Sequence, residues 1–510
     1  MNHKSRTKNS FKNIKNGLIS QIVSLVFNFI VRTIFVKYLS KEYLGINGLF
    51  TNILSILSLA ELGFGVAIVY SLYAPLAKND IKKIQAIMNF YKKVYMYIGI
   101  IIGILGICII PFMDYIIKDN LYLNNLNYIY ILFLFNSVSS YFFAYKRSIL
   151  VADQREYVSS QYKYIFIIIK SLMQIGVLVI FQNFILYLIV QILATILENI
   201  LISYKINKIY PFLNNLNNEV LSKNELIKIR KDVNALFIAK FGNVMLNGTD
   251  NIIISSFVGI QWVGLLSNYN LVIGSIIMLL SQIISGLTGS VGNFIAKEEL
   301  REVYKLFKKI DFLNFWLYGV AAICLCILLN PFIELWIGKN YLIEQNTVNV
   351  LVINFFINGM TSFLWMFRST MGLFTKAKYR PILCSILNIF ISIILGKYVG
   401  LIGVLLGTTI SRLFTNLSFD PYIIYKFGLK KNMKSYYRLY CYRIILLVFI
   451  YLCLDFIKLK LFIGGVNIIG FMILMFLSIL LPNIIFLLVY QKSNEFNYIK
   501  AIIKSQVNFI

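Results

Sequence analysis

Apolar residues fall in long unbroken runs, and polar residues gather in the short links between them. A helix needs about 20 consecutive apolar residues to cross the hydrocarbon layer, because every backbone polar group must be satisfied within the segment. About fourteen such segments are predicted, over residues 17–38, 44–74, 90–112, 126–148, 161–182, 184–206, 233–258, 264–290, 310–331, 347–371, 381–400, 402–425, 441–457 and 462–490. The predicted fold class is all-α, a polytopic membrane protein of about 14 transmembrane helices.

The links alternate between basic and neutral. Placing the N-terminus inside assigns about 38 basic residues to cytoplasmic segments and about 7 to outer ones. One inner link carries Lys78, Lys82 and Lys83, and a later one Lys297, Arg301, Lys305, Lys308 and Lys309. A misread span would reverse every later link, so the alternation supports the whole count and predicts both termini in the cytoplasm. The apolar run from Gly17 to Tyr38 is too long for a signal peptide and lacks a cleavage site, so it reads as a retained span.

Composition changes this picture little. With 59% hydrophobic and 14% charged residues and a mean hydropathy of +0.76, the chain lies far from soluble domains. Its net charge of +28 is spread link by link beside an anionic leaflet, which explains it without a nucleic-acid partner. The six cysteines lie in or beside apolar runs, with no spacing suited to metal binding or redox exchange, and the single histidine, His3, sits in the basic N-terminal tail. No phosphate-binding loop occurs, and the links are too short to hold an ATPase domain. No cofactor or metal is expected, and energy has to come from an ion gradient or from removal of product outside.

The longest inner link divides the first twelve segments into two sets of six, predicting a six-helix bundle over 1–206, a cytoplasmic linker over 207–232, a second six-helix bundle over 233–428, and two additional helices with a cytoplasmic tail over 429–510. The halves resemble each other weakly at an offset of about 220 residues: Asn28 and Gly45 fall opposite Asn247 and Gly264, and Asn136, Ser140, Lys146 and Tyr157 opposite Asn358, Ser362, Arg368 and Tyr379. Parallel repeats of this kind surround a central path in transporters. Gly99 with Gly103, and Gly403 with Gly407, have the spacing that lets helices approach closely. Gly63, Gly65, Gly286, Gly289 and Gly292 either mark bends or serve lipid-adapted packing.

Of the ionisable residues within the segments, eight stand out: Arg32, Glu61, Lys170, Glu198, Lys240, Asp250, Arg412 and Asp420. A charge at the bilayer centre costs about 2.5–3.5 kcal/mol even on lenient scales, so each needs a partner or water. Glu61, Lys170, Asp250 and Arg412 are near mid-span, whereas Arg32, Glu198, Lys240 and Asp420 lie near span ends, where snorkelling is open to them. Each either lines a hydrated path or belongs to a buried structural pair. A lone mid-span acid suits coupling to H+ or Na+, making Glu61 and Asp250 the first coupling candidates, with Glu198 and Asp420 behind them. Four acids and four bases balance, which leaves the sign of the cargo open.

The run Gly248-Thr249-Asp250-Asn251-Ile252-Ile253-Ile254-Ser255, followed by Phe257-Val258-Gly259 and Val263-Gly264-Leu265-Leu266-Ser267-Asn268-Tyr269, resembles the Wzx-type polysaccharide flippases of the multidrug/oligosaccharidyl-lipid/polysaccharide (MOP) exporter superfamily. Arg32-Thr33 through Tyr43-Leu44-Gly45, and Ala60-Glu61-Leu62-Gly63-Phe64-Gly65, resemble that family's opening segment. The resemblance implies a non-enzymatic flippase that moves an undecaprenyl-pyrophosphate-linked oligosaccharide between leaflets by alternating access, for surface polysaccharide biosynthesis. It implies Arg32, Lys170, Lys240 and Arg412 as contacts for pyrophosphate or acidic sugars, with membrane lipid and other polysaccharide-assembly proteins as partners. Two segments beyond twelve depart from many members of the family, although the related lipid II flippases share them. The competing readings are an ion-coupled multidrug antiporter of the same superfamily and a membrane-embedded polysaccharide polymerase or ligase; the short outer links offer the latter only Asp114, Asp119, Glu334 and Glu344.

Overall fold

The computed structural model describes residues 3–61, 64–117, 125–214, 221–373, 376, 379–461 and 467–497. Among them there is no β-strand, and twelve helices are long and apolar enough to span a membrane. The other two predicted segments are also helical. The run 44–74 is broken, and the helix over the seventh segment extends well into charged sequence. Large apolar side chains face outward along whole helices, as on the last one, where Ile468, Phe476 and Leu488 are exposed. In water such a surface would aggregate, whereas in hydrocarbon it is the matching solvent.

The chain forms two compact units, Met1–Gly264 and Leu265–Ile510. In the first, helices α1 (His3–Tyr38), α2 (Lys41–Leu57) and α3 (Phe64–Lys78) are followed by α4 (Ile81–Ile109), the short α5 (Met113–Ile116), α6 (Leu126–Ala152), α7 (Glu156–Phe181), α8 (Phe184–Ile209) and α9 (Lys223–Phe257). α1 packs on α7, α6 lies against α4 and α8, and α2 against α9. Gly45 of α2 is pressed on the Ile260 carbonyl, and a Cβ at Gly264 would stand 2.9 Å from the Gly45 nitrogen. The two glycines aligned by the internal repeat thus meet backbone to backbone. Ser222 and Glu225 form a reciprocal capping box at the start of α9. There Lys83 reaches Glu225 at 2.5 Å, and this hydrogen bond, together with those from Ser222, holds the Glu225 carboxyl below the ordinary carboxylate range. The pair is too exposed to stabilise the unit much.

In the second unit, α10 (Ile260–Lys297, entering from the first unit) runs unbroken through Gly286, Gly289 and Gly292, so none of these glycines interrupts the helix. It is followed by α11 (Leu300–Ile337), α12 (Gln345–Thr370), α13 (Arg380–Val399), α14 (Leu401–Ile423), a π-helical turn at Ile424–Leu429, α15 (Lys434–Leu461) and α16 (Ile468–Tyr490). α12 is the core, with 78% of its most apolar window buried between α11 and α14. Polar side chains join the helices where lipid supplies no hydrophobic drive. Asn314 donates to the Gly359 carbonyl at 3.1 Å, Asn354 to that of Leu405 at 3.0 Å, and Asn388 to Thr408 Oγ1 at 2.9 Å. α13 and α14 are joined only by Gly400, whose φ of +69° favours glycine.

Candidate functional site

The broken second segment carries a mid-span acid, Glu61. α2 gives way to a 3-10 turn at Ser58–Glu61 before α3 begins, and Gly63, the nearest predicted bend, lies outside the described residues. Glu61 Oε1 accepts a hydrogen bond from the Tyr95 hydroxyl at 2.9 Å. Tyr141, whose ring lies 6.3 Å from that of Tyr95, is within electrostatic reach of the same carboxylate. Among the described residues Glu61 makes no ion pair. A carboxylate held by neutral donors at a helix break keeps its charge available to a proton or a small cation.

Basic residues surround α8 in the same unit. Half-buried Arg32 on α1 lies within electrostatic reach of Tyr187, and half-buried Lys170 on α7 faces Glu198. Glu198 itself accepts from Arg147 at 2.8 Å, Arg147 also donates to Asn199 at 2.9 Å, and the neighbouring Lys146 reaches Ser203 at 2.7 Å and Asn207 at 3.0 Å. Three bases thus converge on one acid and a row of amides and hydroxyls. On α9, Asp250 is half-buried, one position beyond Thr249, which bonds back to Met245. The Lys240 side chain lies outside the described residues.

In the second unit, Asp420 on α14 is 1% exposed and accepts from Arg368 of α12 through one oxygen and from Arg380 of α13, at 2.9 Å, through the other. Arg380 also donates to Asn416 at 2.6 Å. At the repeat offset Glu198 falls opposite Asp420, and in each predicted set of six segments an arginine near the end of the fourth pairs with an acid on the sixth: Arg147 with Glu198, Arg368 with Asp420. The geometry of these two acids is that of inter-helix clamps. Arg412 on α14 is half-buried and donates to the Asn354 carbonyl at 3.2 Å.

Sequence reasoning missed a second buried pair, Asp311 of α11 with Arg443 of α15 at 2.7 Å, each 3% exposed at the side chain. Opposite charges just inside the starts of two segments predicted to begin on the inner side were the available signal. Nor did it single out Tyr269, in the motif-bearing α10, whose hydroxyl donates to Asn330 at 2.6 Å and accepts from the Ile343 amide at 3.2 Å. Asp119 falls outside the described residues. No group of three metal-binding side chains occurs among those described.

No protein-family model matches the sequence, and no curated protein matches it significantly. Solved structures do match. The lipid II flippase MurJ, in an inward closed conformation, is similar over 94% of this chain and 98% of its own, with a TM-score of 0.65 and 17% identity. An inward-facing multidrug resistance MATE family transporter of the MOP superfamily is similar over 79% of this chain and 94% of its own, with a TM-score of 0.59 and 13% identity. A point mutant of the Vibrio cholerae MATE transporter VcmN is similar over 84% of this chain and 99% of its own, with a TM-score of 0.56 and 10% identity. The chain is a multi-pass membrane protein with the fold of the MOP-superfamily transporters and flippases.

Proposed function

We propose that this chain is a flippase carrying undecaprenyl-pyrophosphate-linked oligosaccharide repeat units across the bacterial cytoplasmic membrane by alternating access, with both termini inside. The observation that carries the reading is the set of basic side chains held within the helical segments, Arg32, Lys170 and Arg412, on a fold similar from end to end to a lipid II flippase. Pyrophosphate and sugar hydroxyls cannot cross hydrocarbon unaided, since each unsatisfied polar group costs several kcal/mol. Cations along a hydrated path remove that barrier, with Lys240 as a further contact, while the lipid tail stays in the membrane. The bundles over 1–206 and 233–428, joined by 207–232 and followed by 429–510, are the proposed moving parts. Glu61 and Asp250 are the proposed coupling acids, for H+ or Na+.

The reading is tested in a deletion strain by mass spectrometry of lipid-linked sugars combined with a leaflet-accessibility assay. Repeat units are expected to accumulate on the inner leaflet. Normal outer-leaflet delivery, with no related transporter present, overturns the reading. Glu61→Gln keeps an acceptor for Tyr95, so membrane abundance is expected to hold while transport falls about tenfold, the scale of typical coupling free energies. Asp250→Asn and Arg412→Gln are expected to behave in the same way. Equal loss of abundance and transport would make these residues structural.

Glu61 also favours a second reading, an ion-coupled multidrug antiporter, because an acid held by neutral donors suits a cation and the MATE transporters share the fold. Ion-dependent drug efflux from the deletion strain carrying this chain, with normal surface polysaccharide in its absence, selects it.

A further inference from the structure

At the inner ends of α11, α15 and α16 lies a cavity of about 530 Å³ whose lining includes none of the residues proposed for transport. Its walls include Tyr304, Lys308, Asp311, Tyr436, Arg438 and Arg443. Deep inside, Arg443 donates to Asp311 Oδ2 at 2.7 Å and stacks over the Phe315 ring at 4.7 Å. That pair leaves polar capacity unused: Asp311 Oδ1, Arg443 Nε and the Tyr436 hydroxyl make no hydrogen bond within the protein, although the three residues are only 2%, 3% and 3% exposed. Leaving a buried polar group unmade costs about 1–3 kcal/mol. With the Tyr490 hydroxyl, four such atoms belong to residues lining one cavity, which points to an occupant that supplies both donors and acceptors.

The mouth has a different character. Lys308 and Arg438 are exposed there, Lys308 lying 4.8 Å over the Tyr304 ring. With Glu495 also on the rim, the lining holds three bases and two acids and is net positive. Tyr442 and, one turn farther along α15, Ile445 are exposed, so an apolar face continues from the cavity along α15. The basic start of α11, with Arg301, Lys305, Lys308 and Lys309, marks this end as the cytoplasmic one.

We propose that this cavity binds the headgroup of an inner-leaflet phospholipid whose phosphodiester carries a polyol, the phosphatidylglycerol class. The phosphodiester sits between Lys308 and Arg438. A headgroup hydroxyl enters the cavity, donating to Asp311 Oδ1 and accepting from Tyr436 and Arg443 Nε. The acyl chains follow the exposed face of α15. A choline headgroup offers no hydrogen to Asp311 and brings a fixed positive charge towards Arg443. The proposal rests on the inner placement of these helix ends and is independent of the transported substrate.

Native mass spectrometry of the full chain, titrated with dioleoyl-phosphatidylglycerol, -phosphatidic acid and -phosphatidylcholine, tests it. Phosphatidylglycerol is expected to bind most tightly. Lys308→Gln with Arg438→Gln, both exposed and safe for folding, is expected to weaken it about thirtyfold without changing the thermal midpoint in phosphatidylcholine. Tyr436→Phe, which removes only the hydroxyl, is expected to weaken phosphatidylglycerol and leave phosphatidic acid unchanged. Equal binding of phosphatidylglycerol and phosphatidylcholine, or unaltered binding by the double variant, overturns the site. Phosphatidic acid matching phosphatidylglycerol overturns the hydroxyl contact. Displacement of the lipid by millimolar glycerol 3-phosphate shows a pocket for free polyol phosphates and overturns the lipid assignment.

Discussion

Asp420→Ala is expected to be among the most damaging substitutions in the chain, costing about 3–5 kcal/mol, because removing one partner from a buried ion pair leaves the others uncompensated. Here the residue left behind is not one cation but two, since Arg368 and Arg380 both converge on this carboxylate. These arginines come from α12 and α13 while Asp420 belongs to α14, so the substitution loosens three helices, among them the most buried helix of the unit. Membrane abundance and transport should fall together, and the midpoint of thermal unfolding in detergent, followed by size-exclusion chromatography, should drop. Asp420→Asn should be nearly as harmful, since it keeps an acceptor but removes the charge both arginines face. Glu198→Ala is expected to be milder, because its side chain is 18% exposed and, among the described residues, only Arg147 forms a salt bridge with it. A fully abundant, thermally normal Asp420→Ala that fails only in transport would instead make Asp420 a coupling acid.

Membrane spans are legible in this sequence because the bilayer imposes one requirement on every segment, and apolar length answers it directly. Helix limits are a different quantity. α4 begins at Ile81, α9 at Lys223 and α11 at Leu300, about ten residues before the apolar runs they carry, because backbone hydrogen bonding continues where the chain leaves hydrocarbon. The capping box of Ser222 and Glu225 was written in the sequence and marked the true start of α9. The break at Ser58–Glu61 was less legible: its flanks are apolar throughout, and only the glycines around it hinted that one predicted span was two helices. Charge partners were hidden for another reason. Asp311 and Arg443 are 132 residues apart, and hydropathy places each at a segment end without saying which ends meet. Glu198 and Asp420, chosen as charges out of place, are paired with bases the sequence reading had not weighed as their partners, Arg147 and Arg368.

The two small-residue pairs read alike in sequence and should respond with opposite sign. Gly407 of α14 is seated on the backbone of α13, where a Cβ would stand 2.7 Å from the Ser392 nitrogen and 2.8 Å from its Cα. Gly403 is pressed in the same way on the Leu395 carbonyl. Backbone atoms cannot rotate aside as a side chain can, and the helices cannot part while Gly400 alone joins them, so overpacking of about 1–3 kcal/mol or more is expected for Gly403→Ala or Gly407→Ala. Parting them would also break the bonds from Ser392 to the Val404 carbonyl at 3.0 Å and from Asn388 to Thr408 at 2.9 Å. On α4, by contrast, a Cβ at Gly103 meets nothing nearer than the Val138 side chain at 3.8 Å, an ordinary contact. Gly103→Ala should therefore stabilise by about 0.5–1 kcal/mol through helix propensity alone. Thermal midpoints of the three variants in one detergent decide the matter. A drop at Gly103 comparable to those at Gly403 and Gly407 would mean that spacing, and not the depth of contact, governs helix association in this protein.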